Sequence, residues 1–172
     1  RQRFSGRPLR GPHQRTHAQQ RAYIELAHET TRRIHELEKP VIAVLNGPAR
    51  GAGTEMALGC DFVLMAEDAT LAFPATSLGT FVGGGVTYHL PRLVGPARAK
   101  ELVYTGRVVG GKEAVELGLA LRCFPTAQLM DEARALARQL AEKAPLSLRF
   151  AKRRLQQWPV PAETRERVAA GL

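Results

Sequence analysis

Cysteine is scarce in this 172-residue chain, and no stretch of it is continuously apolar over the length of a membrane span. Only Cys60 and Cys123 are present, without the close spacing of metal ligands, which argues against a disulfide scaffold or a zinc site. A helical span would need roughly 20 apolar residues in a row, and the first residues lack the apolar core of a signal peptide. We therefore expect a soluble, cytoplasmic protein that does not act at a membrane and holds no metal.

Lysine is also rare, at 5 residues against 20 arginines, and aromatic residues make up only 6% of the chain. The formal net charge is +9, of which +6 falls within residues 1–33. Such an excess could attract nucleic acid, an acidic protein or a phosphate-bearing small molecule. No zinc finger, recognition helix or basic stripe with interleaved aromatics accompanies it, so nucleic-acid binding ranks last and we expect none.

Strand and helix patterns alternate along the chain, which predicts the α/β class and one globular domain. Residues 41–45 form a continuous apolar run, typical of a strand buried on both faces. The helices are predicted over 13–39, 54–59, 86–93, from 96, 112–117, 127–143 and 146–157, and the remaining strands over 61–66, 69–73 and 119–124. We divide the chain into a core over 1–125, opened by a basic segment and helix over 1–38, and a helical region over 126–172.

The densest chemical signal is a glycine-rich turn between the strand at 41–45 and the next helix. Gly47, Gly51 and Gly53 let a ligand approach the backbone, and unpaired N–H groups at a helix start attract an anion or a developing oxyanion. Glu55 lies in the first turn of that helix, beside those donors. It is either an acid–base group or merely a carboxylate that stabilises the helix dipole, and the pattern alone leaves both open.

The stretch KPVIAVLNGPARGAGTEMALGCD over 39–61 resembles the crotonase, or enoyl-CoA hydratase/isomerase, superfamily. The likeness continues in order to residue 125, through Phe73-Pro74, Leu78-Gly79-Thr80, the glycines at 83–85, PRLVG at 91–95 and AVELGL at 114–119. The resemblance implies a crotonase-like spiral of ββα turns with C-terminal helices packing on the core. It also implies an acyl-CoA substrate, a homotrimer or hexamer, and no cofactor apart from the coenzyme A of the substrate itself.

The resemblance also assigns roles to residues. Glu55 is the expected catalytic acid–base group, and the N–H groups of Ala52 and Arg7 are the expected oxyanion donors. Arg7 is placed by residues 4–9, FSGRPL, which resemble a shortened form of the segment that supplies the family's other oxyanion donor. The other residues expected to contact the substrate are Gly51, Gly53, Arg10, Ala75 and Gly83. Arg10 would meet the coenzyme A phosphates, and the alternative is that it is one solvated arginine among many.

One position departs from the family pattern. Family hydratases hold one water between two glutamates, and the position of the second glutamate here is occupied by Ala75. Either Glu55 performs both proton transfers, or Thr76 or Ser77 holds the water, or the chemistry differs. The leading expectation is an enzyme, a hydro-lyase that adds or removes water across the α,β bond through an enolate-like intermediate. The alternative is a crotonase-fold binding or scaffold protein with impaired catalysis. Simple double-bond isomerisation is less favoured, because family isomerases keep the carboxylate that is absent here.

The chain also differs from the family in extent. The family's usual N-terminal strands have no counterpart before Phe4, and its last helical turns have none after Leu172. Either the sequence is a piece of a longer protein or it is a shortened member, and the residues do not decide between the two.

Overall fold

Helices and strands alternate along residues 16–156, the part of the chain that the computed structural model describes. The helices are α1 (His17–Glu36), α2 (Ala52–Leu58), α3 (Val86–Val94), α4 (Pro96–Thr105), α5 (Gly111–Glu116), α6 (Thr126–Ala141) and α7 (Pro145–Gln156). The strands are β1 (Ile42–Leu45), β2 (Ala49–Arg50), β3 (Phe62–Ala66), β4 (Thr70–Ala72), β5 (Val109–Gly110) and β6 (Arg122–Phe124), and a 3-10 helix spans Thr76–Leu78. The predicted elements that fall within these residues are all present, with slightly different ends.

The strands form two small sheets. One has the order β1-β3-β6 and is parallel throughout, with Ile42 opposite Phe62. In the other, of order β2-β4-β5, β4 is parallel to β2 and antiparallel to β5. The expectation that residues 41–45 are buried on both faces was wrong: β1 lies at the edge of its sheet, and its four residues are only half-buried. The strands β2 and β5 were not predicted, because two residues are too few to show a pattern.

The core lies around β3, β4 and the helices packed on them. Its largest fully buried side chains are Phe73, Leu64, Met65, Leu71, Leu90, Leu102, Leu119 and Leu129. Helix α6 packs against β1, β3 and β6 and contributes Leu129 and Ala133. Helix α6 therefore packs on the core, as the resemblance implied for the C-terminal helices.

Helix α1 begins at a capping box, in which Thr16 and Gln19 bond each other's backbone N–H. Leu26 of this helix is 65% exposed, whereas Ile24, Ala27 and Ile34 are half-buried. Thr31 is buried, at 5% exposure. Helix α1 thus faces the rest of the chain with apolar and polar side chains together.

Helix α7 is anchored by a buried ion pair that the sequence gave no reason to expect. The Lys152 ammonium, 7% exposed, donates to Asp61 Oδ2 at 2.7 Å and to the Lys39 carbonyl at 3.0 Å. The same Asp61 oxygen accepts the Val41 N–H at 2.7 Å. One lysine therefore ties α7 both to the segment before β1 and to the turn after α2.

Cys60 and Cys123 are free thiols. Burial raises the pKa of the Cys60 thiol, and the nearby Asp61 charge adds to this effect.

Among residues 16–156, no helix combines the length and the apolar composition of a membrane span.

Candidate functional site

The site is built on the turn that joins β2 to α2. Gly51 adopts φ 52° and ψ −120°, a conformation that residues with a side chain rarely take, although a Cβ here would meet nothing within 4 Å. Its N–H donates to the Ala72 carbonyl at 3.2 Å, and the buried Thr54 hydroxyl donates to the same carbonyl at 3.2 Å. The start of α2 is therefore fixed to the end of β4.

Ala52 is the first residue of α2 and its side chain is exposed. Its N–H has no hydrogen-bond acceptor within residues 16–156, as is usual for the first turn of a helix. A Cβ on the neighbouring Gly53 would make only an ordinary contact, 4.0 Å from Ala49 Cβ. The glycine-rich turn thus presents an available backbone donor at the position that the sequence predicted.

Glu55 lies one turn into the same helix, with its carboxylate half-buried. Its Oε1 accepts the N–H of Gly83 at 3.1 Å, so a helix and a glycine loop 28 residues apart meet at this side chain. Burial raises the pKa of Glu55, while the Gly83 N–H and the charge of His28 oppose that rise. A carboxyl group with a raised pKa is suited to both taking up and releasing a proton near neutral pH.

The loop at 83–85 presses closely on Glu55. Gly84 and Gly85 have φ of 55° and 76°, and Gly85 caps the start of α3. A Cβ on Gly84 would lie 2.7 Å from Glu55 Cβ and 3.2 Å from its Oε2. Because Cβ atoms do not tolerate such a distance, glycine at 84 is required by packing as well as by backbone conformation.

Helix α1 packs against the loop at 83–85 and the end of α2. Thr31 Cγ2 lies 2.9 Å from the point that a Cβ on Gly59 would occupy, and Thr31 Oγ1 lies 3.3 Å from the equivalent point at Gly84. One turn earlier, His28 Nε2 lies 3.5 Å from the point at Gly83. Two glycines therefore allow α1 to approach closely, and this approach brings His28 to the edge of the site.

The position of the absent second carboxylate is also defined. Ala75 is 8% exposed, directly precedes the 3-10 helix and accepts the Thr80 N–H through its carbonyl at 3.0 Å. The Thr76 hydroxyl donates to the Val103 carbonyl of α4 at 2.7 Å, so its proton is already engaged. The Ser77 hydroxyl, in contrast, has no hydrogen-bond partner within residues 16–156.

Two histidines, His35 and His89, lie next to each other beside the loop at 83–85. The rings of His35 and His89 meet edge to face, with centroids 5.0 Å apart, and His89 also packs against Gly85. Burial is the main cause that lowers the pKa of His89, to about 4, and His35 and Arg92 add to it. Burial likewise lowers the pKa of His35. These histidines are neutral packing groups at neutral pH.

The structure thus brings together most of the predicted residues that it describes. Glu55 and Gly83 are in contact, and Gly51, Ala52 and Gly53 lie directly before Glu55 on the same turn. Arg7 and Arg10 lie outside the described residues, so their predicted roles stay predictions. Within residues 16–156 no three histidine, cysteine or acidic side chains are grouped as they would be to hold a metal ion.

Sequence reasoning missed two groups at the site. His28 and Thr31 are spaced three residues apart on the predicted helix, and His35 follows four residues later, a polar periodicity that could have indicated a buried face. The N–H of Gly83 holds the Glu55 carboxylate, a contact that the sequence did not predict, and the predicted contact of Gly83 with the substrate stays a prediction.

A helix start with an unpaired N–H, a half-buried glutamate one turn later and a glycine loop closing on it, on a mixed α/β fold, are the features that the resemblance to the crotonase superfamily led us to expect. In agreement, residues 4–169 match the family model for enoyl-CoA hydratase/isomerase. The chain belongs to this family.

Individual relatives agree with this assignment. Carnitinyl-CoA dehydratase of Escherichia coli strain K12 is 44% identical over 115 residues, which cover 67% of this chain and 44% of that protein. The crystal structure of an enoyl-CoA hydratase from Bacillus anthracis superposes with a TM-score of 0.81 at 39% identity, covering 84% of this chain and 56% of that one. An enoyl-CoA hydratase/isomerase from Cupriavidus metallidurans CH34 gives a TM-score of 0.78 at 32% identity, over 90% of this chain and 58% of that one. The chain therefore spans about half the length of the relatives it matches.

Proposed function

We propose that this protein is an acyl-CoA hydro-lyase, which adds water to, or removes it from, the α,β bond of an acyl thioester of coenzyme A. The names of two relatives, a carnitinyl-CoA dehydratase and an enoyl-CoA hydratase, describe reactions of this class. The observation that carries the proposal is the half-buried Glu55 carboxylate, held by the Gly83 N–H one helical turn beyond the free N–H of Ala52.

In the proposed reaction the Ala52 N–H donates to the thioester oxygen, and Arg7 supplies the second donor. These donors stabilise the enolate-like charge that develops as water adds to the β-carbon. Glu55 takes the proton of that water, since burial raises its pKa towards the working range of a general base. Gly51 and Gly53 keep the approach to the Ala52 N–H open, and Arg10 contacts the coenzyme A phosphates. Coenzyme A takes part only as a portion of the substrate, and the proposed chemistry uses no separate cofactor.

The test is a spectroscopic hydration assay over short, branched and aromatic enoyl-CoA thioesters, with Glu55→Gln as the key variant. The amide is nearly isosteric and still accepts the Gly83 N–H, so the fold and thioester binding should persist. Turnover should fall by about 100–10,000-fold, the usual contribution of positioned proton transfer. Full activity in Glu55→Gln would show that Glu55 is not the acid–base group.

Glu113→Gln is the matched control. Glu113 is also an acid in the first turn of a short helix, α5, but it pairs with Arg107. An acid in the first turn stabilises its helix by about 0.3–1 kcal/mol through the helix dipole. If the drop in turnover of Glu55→Gln came only from losing this general stabilisation, Glu113→Gln should show an equal drop in turnover. We expect its turnover to be unchanged.

The second candidate function is a binding or scaffold protein of the same fold, and Ala75 favours it. The side chain of this residue is buried and has no group that can exchange a proton. Ala75→Glu distinguishes the two candidates. If the parent protein hydrates no thioester and Ala75→Glu does, the binding role is correct; if the parent is active and depends on Glu55, the hydro-lyase is correct.

We further propose that the chain works as a homotrimer or hexamer in the cytoplasm. Large apolar side chains of α7 are exposed: Leu146, Phe150 and Leu155 are 64%, 58% and 72% accessible. Covering them by other copies would remove apolar area from water. The free thiols Cys60 and Cys123 fit a reducing compartment.

A further inference from the structure

The face of α1 that lies over the site carries polar residues at helical spacing. His28, Thr31 and His35 occupy positions i, i+3 and i+7, which share one side of a helix. Thr31 rests on Gly59 and Gly84, and the ring of His35 meets that of His89. Both contacts lie on the C-terminal side of His28 and keep this face of α1 against the site, at whose exposed edge His28 lies.

The imidazole of His28 and the carboxylate of Glu55 converge on the same side of Gly83. The point that a Cβ on Gly83 would occupy lies 3.4 Å from Glu55 Oε2 and 3.5 Å from His28 Nε2. The distance between Glu55 Oε2 and His28 Nε2 therefore cannot exceed the sum of these two distances. The charge of His28 also lowers the pKa of Glu55, as expected for two ionisable groups this close together.

Water addition to an enoyl thioester needs two proton transfers. One proton leaves the attacking water and another arrives at the α-carbon. With Ala75 in place of a carboxylate, residues 52–85 offer only one side chain at this place that readily exchanges protons, Glu55. An imidazole exchanges protons in the physiological pH range and can fill the second role.

We infer that His28 is the second acid–base group of this site and exchanges the proton of the substrate α-carbon, an inference that rests on the proposed function. Water oxygen bonds to the β-carbon as its proton passes to the Glu55 carboxylate. The π electrons of the α,β bond move into the thioester enolate. The enolate α-carbon then takes the proton of the His28 imidazolium, and the proton on Glu55 returns to His28 through solvent. The net change is the addition of one water molecule.

The test compares His28→Gln, His28→Ala and Arg33→Gln in the full chain. Arg33 also lies on α1, with its side chain 77% exposed, so its change to an amide removes a cation away from the site. We expect His28→Gln to lower kcat by about 100-fold or more and to remove one limb of the pH profile of kcat. Added imidazole should restore part of the turnover of His28→Ala, and Arg33→Gln should match the parent.

Two kinetic outcomes would overturn the inference: an unchanged rate and pH profile in His28→Gln, or a loss that keeps the parental pH profile and that imidazole does not rescue. The titration of Glu55 by carbon NMR supplies a readout that needs no turnover. Because the interaction with His28 lowers the pKa of Glu55, His28→Gln should raise that pKa, and an unchanged titration also overturns the inference. A parent protein that hydrates no thioester overturns the proposed function, and the Glu55 titration then still decides whether the two groups are paired.

Discussion

Gly84→Ala should damage the site more than its small size suggests. Gly84 has φ 55°, and an added Cβ would lie 2.7 Å from Glu55 Cβ, 3.2 Å from Glu55 Oε2 and 3.3 Å from Thr31 Oγ1. The nearest of these atoms belongs to the stem of Glu55 and not to the end of a flexible chain. The substitution must therefore shift α2, the loop or α1.

Two effects set the magnitude. A left-handed conformation costs a residue other than glycine about 1–2 kcal/mol. Overpacking a close contact typically costs about 1–3 kcal/mol more. We expect Gly84→Ala to lower the free energy of unfolding by about 2–5 kcal/mol, the sum of the two effects.

Gly79→Ala separates these effects. Gly79 has φ 67°, but a Cβ there would meet nothing within 4 Å. This control therefore carries the backbone strain alone, and it should cost about 1–2 kcal/mol. The difference between the two variants isolates the contact with Glu55 and Thr31.

Urea denaturation of both variants, followed by circular dichroism, gives the free energies of unfolding, and the hydration assay gives the turnover. Displacing the Glu55 carboxylate by about 1 Å should lower kcat in Gly84→Ala by about 100-fold, whereas Gly79→Ala should retain its turnover. If the two variants lose equal stability, the contact at Gly84 is not as tight as the geometry states and the reasoning is refuted.

Four further predictions concern other contacts. Ala52→Pro should keep the fold, because proline is tolerated at the first position of a helix, but turnover should fall by about 100–1000-fold through loss of the N–H donor; a folded variant with full turnover would contradict the oxyanion assignment. Lys152→Met should lower the free energy of unfolding by about 3–5 kcal/mol, since Asp61 is left buried without its cation, and adding Asp61→Asn should recover part of the loss in urea titrations. Burial lowers the pKa of His89 to about 4, so protonating this residue costs the folded state more than the unfolded state. A contribution of about 3 kcal/mol to the free energy of unfolding is therefore present above pH 6.5 and should be lost as the pH falls from 6.5 through 4. The stability curves of the parent and of His89→Gln should converge over that range, and parallel curves would refute the assignment. Light scattering at micromolar concentration should give the mass of a trimer or hexamer, and a monomer would contradict the proposed assembly.

The local sequence determined the elements that carry the site. The apolar run before Asn46 predicts β1, and the glycines at 51 and 53 predict the turn before α2. Glu55 follows at a fixed spacing on that helix. These features depend on residues that are neighbours in the chain, so their geometry follows from backbone conformation and helix periodicity. The predicted class and the family resemblance depended on these same features, and both are confirmed.

The tertiary structure alone decided which groups surround Glu55. The Gly83 N–H comes from 28 residues away, and Lys152 meets Asp61 across 91 residues. His28 faces Glu55 only because Thr31 fits onto Gly59 and Gly84. No local pattern encodes such meetings, because they depend on how closely two backbones approach, and that is set by side-chain volumes on both partners. For the same reason the burial of α1 could not be predicted from its apolar residues alone: Leu26 is exposed and Thr31 is buried, since burial is a property of what packs against a helix and not of the helix itself.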